Sequence, residues 1–296
     1  MVNVVPNDDI MGARVEGLDL SKPMDREVYE TIMHAVGTHG VVCFPDQHLE
    51  AGELKAFAQN FGGLEVNVAN SFMDDEHPEV MILSNIKENG KPIGLADAGQ
   101  DWHTDMSYSK DIAFANVLYG IKIPRRNGVP LGCTEFANMH KAYEDLPDDI
   151  RQKIEDRTAT HDFNKFWEKM RREKGSTRPP LTPEQRAKKP PVSHPMVMTH
   201  PITGKKVLYA NPGYTMKIDG MDPEESDEIL TFLFDHQLQD KYRYKHLWSE
   251  NDVIMWDNIG TLHNAVADYG PDEPRLIKRC QVMADKVFDF EFKTTA

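Results

Sequence analysis

The stretch whose reading decides the fold is Trp102-His103-Thr104-Asp105, taken with His263 far downstream. An H-x-D spacing sets an imidazole and a carboxylate two residues apart, and in an extended backbone residues i and i+2 point to the same face. One metal ion can be gripped by both, with a third ligand arriving from a distant strand. Two histidines and a carboxylate on one side of a metal form a facial triad, a set that suits non-haem Fe(II) and leaves the opposite positions open. Taken alone, the pair has a commoner outcome: a histidine hydrogen-bonded to a neighbouring aspartate near a turn. With twelve histidines in the chain, chance spacings are frequent. The surrounding sequence has to discriminate.

Working outward, the motif follows a polar segment over 87–99 containing Gly90, Pro92, Gly94 and Gly99, so it sits at a loop-to-strand boundary. Before that loop, 80–84 reads as a strand. Val28, Ile32 and Val36 recur at near-helical spacing and predict a helix over 25–39, stopped near Gly37 and Gly40. Val41-Val42-Cys43-Phe44 reads as a buried strand ended by Pro45, and a second helix is expected over 50–61. After the motif, 115–123 is a strand, 124–128 a turn, and 133–136 a further extended run. Helices are expected over 138–146 and after Pro147. Strands resume at 196–200 and 206–210, a helix covers 223–238, and late strands are expected at 242–248, 252–256 and 277–284.

Between these, 163–191 changes character. Phe163, Phe166, Trp167 and Met170 lie at helical spacing, followed by a Lys/Arg/Pro-rich run through Pro190-Pro191. Such an aromatic stripe is most often simply packed; it is also a candidate mobile lid over a site. No repeat or linker divides the chain, so residues 1–296 read as one mainly β, sandwich-like domain with flanking helices and a helical or loop insertion around 163–191.

Composition limits the function. The chain of 296 residues is 40% hydrophobic and 28% charged, ordinary for a globular protein. Its formal net charge of -14 argues against nucleic acid or an anionic membrane as partner. No apolar run approaches the ~20 residues of a membrane helix, and the N-terminus lacks a secretory pattern. Cys43, Cys133 and Cys280 show no C-x-x-C spacing and read as reduced thiols of a cytoplasmic protein. Against this acidic background Arg275, Lys278 and Arg279 form a local basic cluster, either an anion site or a solvated face. On a strand, i and i+4 share a face about 13 Å apart, so Arg275 and Arg279 could hold two different anions.

Together, Trp102-His103-Thr104-Asp105, Thr134-Glu135-Phe136, Met255-Trp256-Asp257-Asn258, Leu262-His263 and the segment from Arg275 to Arg279 resemble the taurine dioxygenase and 2,4-dichlorophenoxyacetate dioxygenase family of Fe(II)- and 2-oxoglutarate-dependent oxygenases. The resemblance runs from Gly17-Leu18-Asp19-Leu20 to the region of Arg279. It implies a double-stranded β-helix (jelly roll) with flanking helices, His103, Asp105 and His263 on iron, and Thr134 with Arg275 on the distal carboxylate of 2-oxoglutarate. Arg279 resembles the family arginine that meets the anionic head of the primary substrate. Thr134 as an ordinary strand residue and Arg279 as a structural ion-pair partner are the blander readings.

Charge counting supports these roles. Two neutral imidazoles and one carboxylate leave Fe(II) at +1, dianionic 2-oxoglutarate takes the centre to -1, and Arg275 restores neutrality with a planar fork suited to a carboxylate. A second anion needs its own cation, and Arg279 is available. Related halogenases replace the triad carboxylate by a small residue; Asp105 is retained, so oxygen transfer is expected, with O2 consumed and 2-oxoglutarate converted to succinate and CO2. Leu131-Gly132-Cys133 stands where the family commonly has Gly-Gly-Asp before the threonine.

For the substrate, the segment 65–72 offers Asn67 and Asn70 beside Phe72 as pocket residues or as ordinary loop. A small anionic organic molecule is expected, a carboxylate such as an aryloxyalkanoate first and a sulfonate or alkyl sulfate of the taurine type second. A non-catalytic or hydrolytic metal-binding jelly roll is the remote alternative, disfavoured because a hydrolase needs no buried dicarboxylate clamp. A homo-oligomer, dimer or tetramer, is expected.

Overall fold

Ala113–Lys122 is the strand around which the rest is arranged. Its first eight residues are buried, because both of its faces are covered. It pairs antiparallel with Val253–Asp257 on one side and Leu276–Met283 on the other. The sheet continues outward through Val41–Phe44, Ala13–Glu16 and Asn3–Pro6 on one flank and ends at Met81–Ser84 on the other, making seven strands. Only the contact between Ala13–Glu16 and Val41–Phe44 is parallel within it. The computed structural model describes residues 2–66, 72–173 and 179–288.

The period-2 alternation of these strands sorts their side chains into two layers. Val42, Phe44, Val117, Tyr119, Val253, Met255 and Val282 face the helices Arg26–His39 and Ala51–Gln59, which contribute Ile32, Met33, Val36, Leu54 and Phe57. The first helix is capped by Asp25, whose carboxylate accepts the Val28 N–H at 2.9 Å, and it stops at Gly40 with φ 72°. On the opposite face Leu118, Ile254, Trp256 and Ile277 pack against Phe136 and Trp248. Phe136 belongs to a second, three-stranded sheet ordered Arg243–His246, Thr134–Asn138, Thr261–Ala265. The molecule is mainly β, and its second core lies between two sheets.

A third small sheet, Val192–Pro195, Thr158–His161, Thr215–Ile218, and the helix Pro223–Gln237 enclose a further apolar cluster around Leu208, Ile229 and Leu233. The loop expected over 87–99 contains a short hairpin, Lys87–Glu88 with Lys91–Pro92. The turn near 124–128 is likewise a small hairpin, Arg125–Arg126 with Val129–Pro130. Within 163–191 lie the helices Phe163–Glu173 and Pro183–Lys188. None of the described helices is long and apolar enough to cross a membrane.

Candidate active site

His103 and His263 are brought together by the backbone before any side chain is considered. The His103 N–H donates to the His263 carbonyl at 3.1 Å, and the His263 N–H returns to the His103 carbonyl at 3.0 Å. This isolated antiparallel bridge sets the two rings 4.2 Å apart. His263 also sits in Thr261–Ala265 opposite Phe136. The expectation that His103 and Asp105 share one face of a strand is corrected here. The chain is extended only through the bridge at His103 and then turns, with Met106 at φ 59°. The turn itself swings the Asp105 carboxylate back toward the two rings.

The geometry fits a metal. One donor atom from each of His103, Asp105 and His263 lies within 4.8 Å of the others, and all three residues are buried. The His103 Nδ1–H donates to the Asp101 carbonyl at 2.8 Å, which leaves the Nε2 lone pair facing inward, 3.4 Å from Asp105 Oδ1. Asp105 Oδ2 is 3.7 Å from His263 Nε2 and has no hydrogen-bond partner. Burial would raise the Asp105 pKa, yet the Arg279 guanidinium and the two imidazoles outweigh it and hold the carboxyl well below the usual range. Burial, reinforced by His103, pushes His263 well below the ordinary imidazole value. A deprotonated Asp105 and a neutral His263 suit ligation.

Two side chains from the Val253–Asp257 strand and its turn brace this arrangement. Asn258 accepts the Asp105 N–H at 3.1 Å and donates to the carbonyls of Asp105 at 2.9 Å and Ala113 at 3.1 Å. Asp257 accepts the N–H groups of Ile259 and Gly260, each at 3.0 Å, shaping the turn that leads to His263. Gly213 is required beside the motif: a Cβ there would come within 2.7 Å of His103 Cβ.

Arg275 and Thr134 are both buried. Arg275 is buried, its Nε has no hydrogen-bond partner, and no carboxylate lies within ion-pair distance of it among the described residues. Burial lowers its pKa against the opposing pull of Tyr269, whose ring centre is 5.7 Å from Cζ. A buried guanidinium in this state calls for an anion from outside the chain. Thr134 Oγ1 accepts the Trp248 indole N–H at 3.1 Å, which leaves its own O–H free to donate. The departure at Leu131-Gly132-Cys133 is accommodated, because Gly132 at φ 68° runs against Arg275, where a Cβ would lie 3.0 Å from Nε. Arg279, on the Leu276–Met283 strand, stands 3.5 Å from Asp105 Oδ2. Arg275 lies just before that strand, with a register irregularity after Leu276. Asn67 and Asn70 lie outside the described residues.

The aromatic stripe expected as a candidate lid contributes Phe163 and Phe166 to a wall beside the motif, whereas sequence reasoning did not single out Tyr108 or Tyr214. The Phe166 ring is 5.0 Å from that of His103 and 5.2 Å from Tyr214, while Tyr108 lies 4.6 Å from Tyr214 and 4.8 Å from Phe163. The helix carrying Phe166 is also tied to the motif through Lys169 and Asp101. Neither tyrosine belongs to the stripe at helical spacing, so no periodicity pointed to them.

Residues 4–281 match the family model described as "Taurine catabolism dioxygenase TauD, TfdA family". The chain belongs to the TauD/TfdA family. Pentalenolactone F synthase of Streptomyces avermitilis is 32% identical over 287 residues, covering 93% of this chain and 92% of that protein. The alpha-ketoglutarate-dependent 2,4-dichlorophenoxyacetate dioxygenase of Cupriavidus pinatubonensis is 29% identical, covering 95% and 98%. Among solved structures, AAD-2 in complex with Mn(II) and N-oxalylglycine superposes with a TM-score of 0.77 at 28% identity, covering 96% of this chain and 97% of that one. This TauD/TfdA chain is a 2-oxoglutarate-dependent non-haem iron dioxygenase that uses Fe(II), 2-oxoglutarate and O2.

Proposed function

We propose that His103, Asp105 and His263 hold the Fe(II), that Arg275 and the Thr134 hydroxyl bind the distal carboxylate of 2-oxoglutarate, and that Arg279 receives the anionic group of the primary substrate. The observation that carries this reading is a buried Arg275 with no carboxylate partner among the described residues, packed against Gly132 two residues before Thr134, together with the buried His/Asp/His cluster. The dianion supplies the charge that the guanidinium lacks, and bidentate recognition suits its planar fork. When bound, the metal supplies O2 activation coupled to decarboxylation of 2-oxoglutarate to succinate and CO2. The chain's own contribution is ligation, aim and exclusion of water. Phe166, Tyr214 and Tyr108 form an apolar wall beside His103, and Arg279 fixes one end of a molecule lying along it.

An anchor for an anion next to an aromatic wall favours a small carboxylate with an apolar body, such as an aryloxyalkanoate, and hydroxylation as the outcome. The dioxygenase relative named for 2,4-dichlorophenoxyacetate supports this choice. A sulfonate or alkyl sulfate is the second reading, supported by the taurine name of the family model. The two-sheet core and its flanking helices support a jelly-roll reading of one domain spanning 1–296. The reading of an insertion around 163–191 that covers the site is supported by the helix Phe163–Glu173, from which Phe166 meets His103 and Lys169 meets Asp101. We further infer a cytoplasmic homo-oligomer acting on small molecules, the net charge of -14 disfavouring nucleic-acid and anionic-membrane partners. Succinate production measured with a panel of aryloxyacetates, alkanoates, sulfonates and alkyl sulfates tests the substrate. Turnover with sulfonates alone would overturn the carboxylate choice. A lilac charge-transfer band on anaerobic addition of Fe(II) and 2-oxoglutarate tests the ligand set, and its loss in His103→Ala is expected.

A further inference from the structure

Among the described residues, two other groups of metal-ligating side chains come together away from the triad. One is His140, His200 and Asp257; the other is Cys43, His246 and Asp252. Tautomers separate them. His200 Nδ1 accepts the N–H groups of Ile202 and Thr203, each at 3.3 Å, so its proton is on Nε2, which faces Asp257 Oδ2 at 3.0 Å. A histidine that ligates through one nitrogen carries its proton on the other. His200 is therefore an N–H donor to Asp257, and that cluster is a clamp on the turn before His263.

The second cluster has no such block. Cys43 lies on Val41–Phe44, opposite Ile254, and faces the core between the two sheets. His246 ends the strand Arg243–His246, opposite Thr134, and its Nε2 is buried with no hydrogen-bond partner. Asp252 precedes Val253–Asp257, and its Oδ2 accepts the Ser249 N–H at 2.8 Å, which fixes the carboxylate. His246 Nε2 and Asp252 Oδ2 are 3.9 Å apart, too far for a hydrogen bond. The three donor atoms lie within 4.8 Å of one another. Donors around a tetrahedral zinc ion stand about 3.3 to 3.6 Å apart, so closure by roughly 1 Å at the widest pair completes the set.

We propose that Cys43, His246 and Asp252 form a second metal site, distinct from the triad, that takes a thiolate-preferring divalent cation of the zinc class. A thiolate and a carboxylate neutralise the +2 charge, and the imidazole nitrogen gains the partner it lacks. Sulfur in the set selects a softer ion than the all-N/O triad does. The partial exposure of Cys43 gives the ion an entry path, and a water fills the fourth position. Arg14, the arginine that acts on both Cys43 and Asp252, is exposed and shared with Glu16 at 3.8 Å. Binding through sulfur displaces the Cys43 thiol proton to solvent, so apparent affinity rises with pH.

The test is titration of the full-length, metal-stripped protein with Co(II), read in the near ultraviolet. Sulfur-to-cobalt charge transfer appears there only when a thiolate is a ligand, and the His/Asp/His triad contains no sulfur. The expected result is two bound equivalents, one of them with a thiolate band that Zn(II) abolishes, that disappears in Cys43→Ser and that survives in His103→Ala. Absence of the band in the unmodified protein after two equivalents overturns the proposal. So does a band that persists in Cys43→Ser, because Cys133 or Cys280 would then be its source. His246→Gln, with weakened Co(II) binding and an intact triad signal, gives the same answer where the serine variant folds poorly.

Discussion

At the residue scale, the site gathers charged and ligating polar atoms that lack partners within the chain. The groups that brace it are matched: Asn258 uses both ends of its amide, and Ser84 donates to the Arg275 carbonyl at 2.7 Å. Asp105 Oδ2, His263 Nδ1 and Arg275 Nε are instead buried without hydrogen bonds. Such atoms are expensive unless a ligand completes them. Arg275→Lys keeps the charge and removes the fork, and Lys does not replace Arg at a bidentate site. The expected outcome is a rise in KM for 2-oxoglutarate of about 30-fold or more, equivalent to at least about 2 kcal/mol, with the Fe(II) affinity unchanged. Parallel titrations of Fe(II) and 2-oxoglutarate check it; equal loss of both would show that Arg275 instead supports the fold.

At the scale of elements, the helix Phe163–Glu173 reaches from outside the two-sheet core to the motif. Phe166 touches the His103 ring, and Phe166, Met170 and Tyr214 are buried together with Tyr108 and Phe163 packed around them. Phe166→Leu preserves the apolar volume approximately and removes the ring contacts, which are worth about 0.5 to 1.5 kcal/mol each. A three- to tenfold rise in KM for the primary substrate is expected, with 2-oxoglutarate KM unaltered, from steady-state kinetics with each varied in turn. Elements with a strong period were legible in the sequence: Val28, Ile32 and Val36 marked Arg26–His39, and the apolar run after Ala113 marked the central strand. Thr158–His161 and Thr215–Ile218 were not, being four-residue strands of mixed polarity whose stability comes from a third sheet. The spacing of His103, Asp105 and His263 was legible as chemistry, whereas the turn that aims Asp105 depends on tertiary partners such as Asn258. The contact of Phe166 with His103 joins residues remote in sequence, and no local pattern encodes it.

For the whole molecule, the pH range of stability follows from imidazoles buried in neutral form. His161 is fully enclosed beneath the third sheet, with His194 5.6 Å and Tyr209 6.1 Å away between ring centres. Burial, then His194 and Lys165, lower its pKa to about 3 from 6.5. Burial also lowers His194, against the opposing hydrogen bond of its Nε2–H to the Ser109 carbonyl. In the unfolded chain both titrate near the ordinary value, so between these limits the unfolded state binds more protons. Stability is therefore fully present above pH 6.5 and falls as pH drops toward 3, with a slope of up to about 1.4 kcal/mol per pH unit for each histidine. The net charge of -14 at pH 7 diminishes as carboxylates protonate, and that opposes the loss only through weaker self-repulsion. His161→Gln removes one of the two groups and leaves Thr215 Oγ1, 3.5 Å from the present ring nitrogen, within reach of an amide. Urea unfolding between pH 4 and 7 should show a shallower decline in this variant than in the unmodified chain, even where its stability at pH 7 is lower. Parallel pH profiles would mean that His161 does not contribute to acid sensitivity.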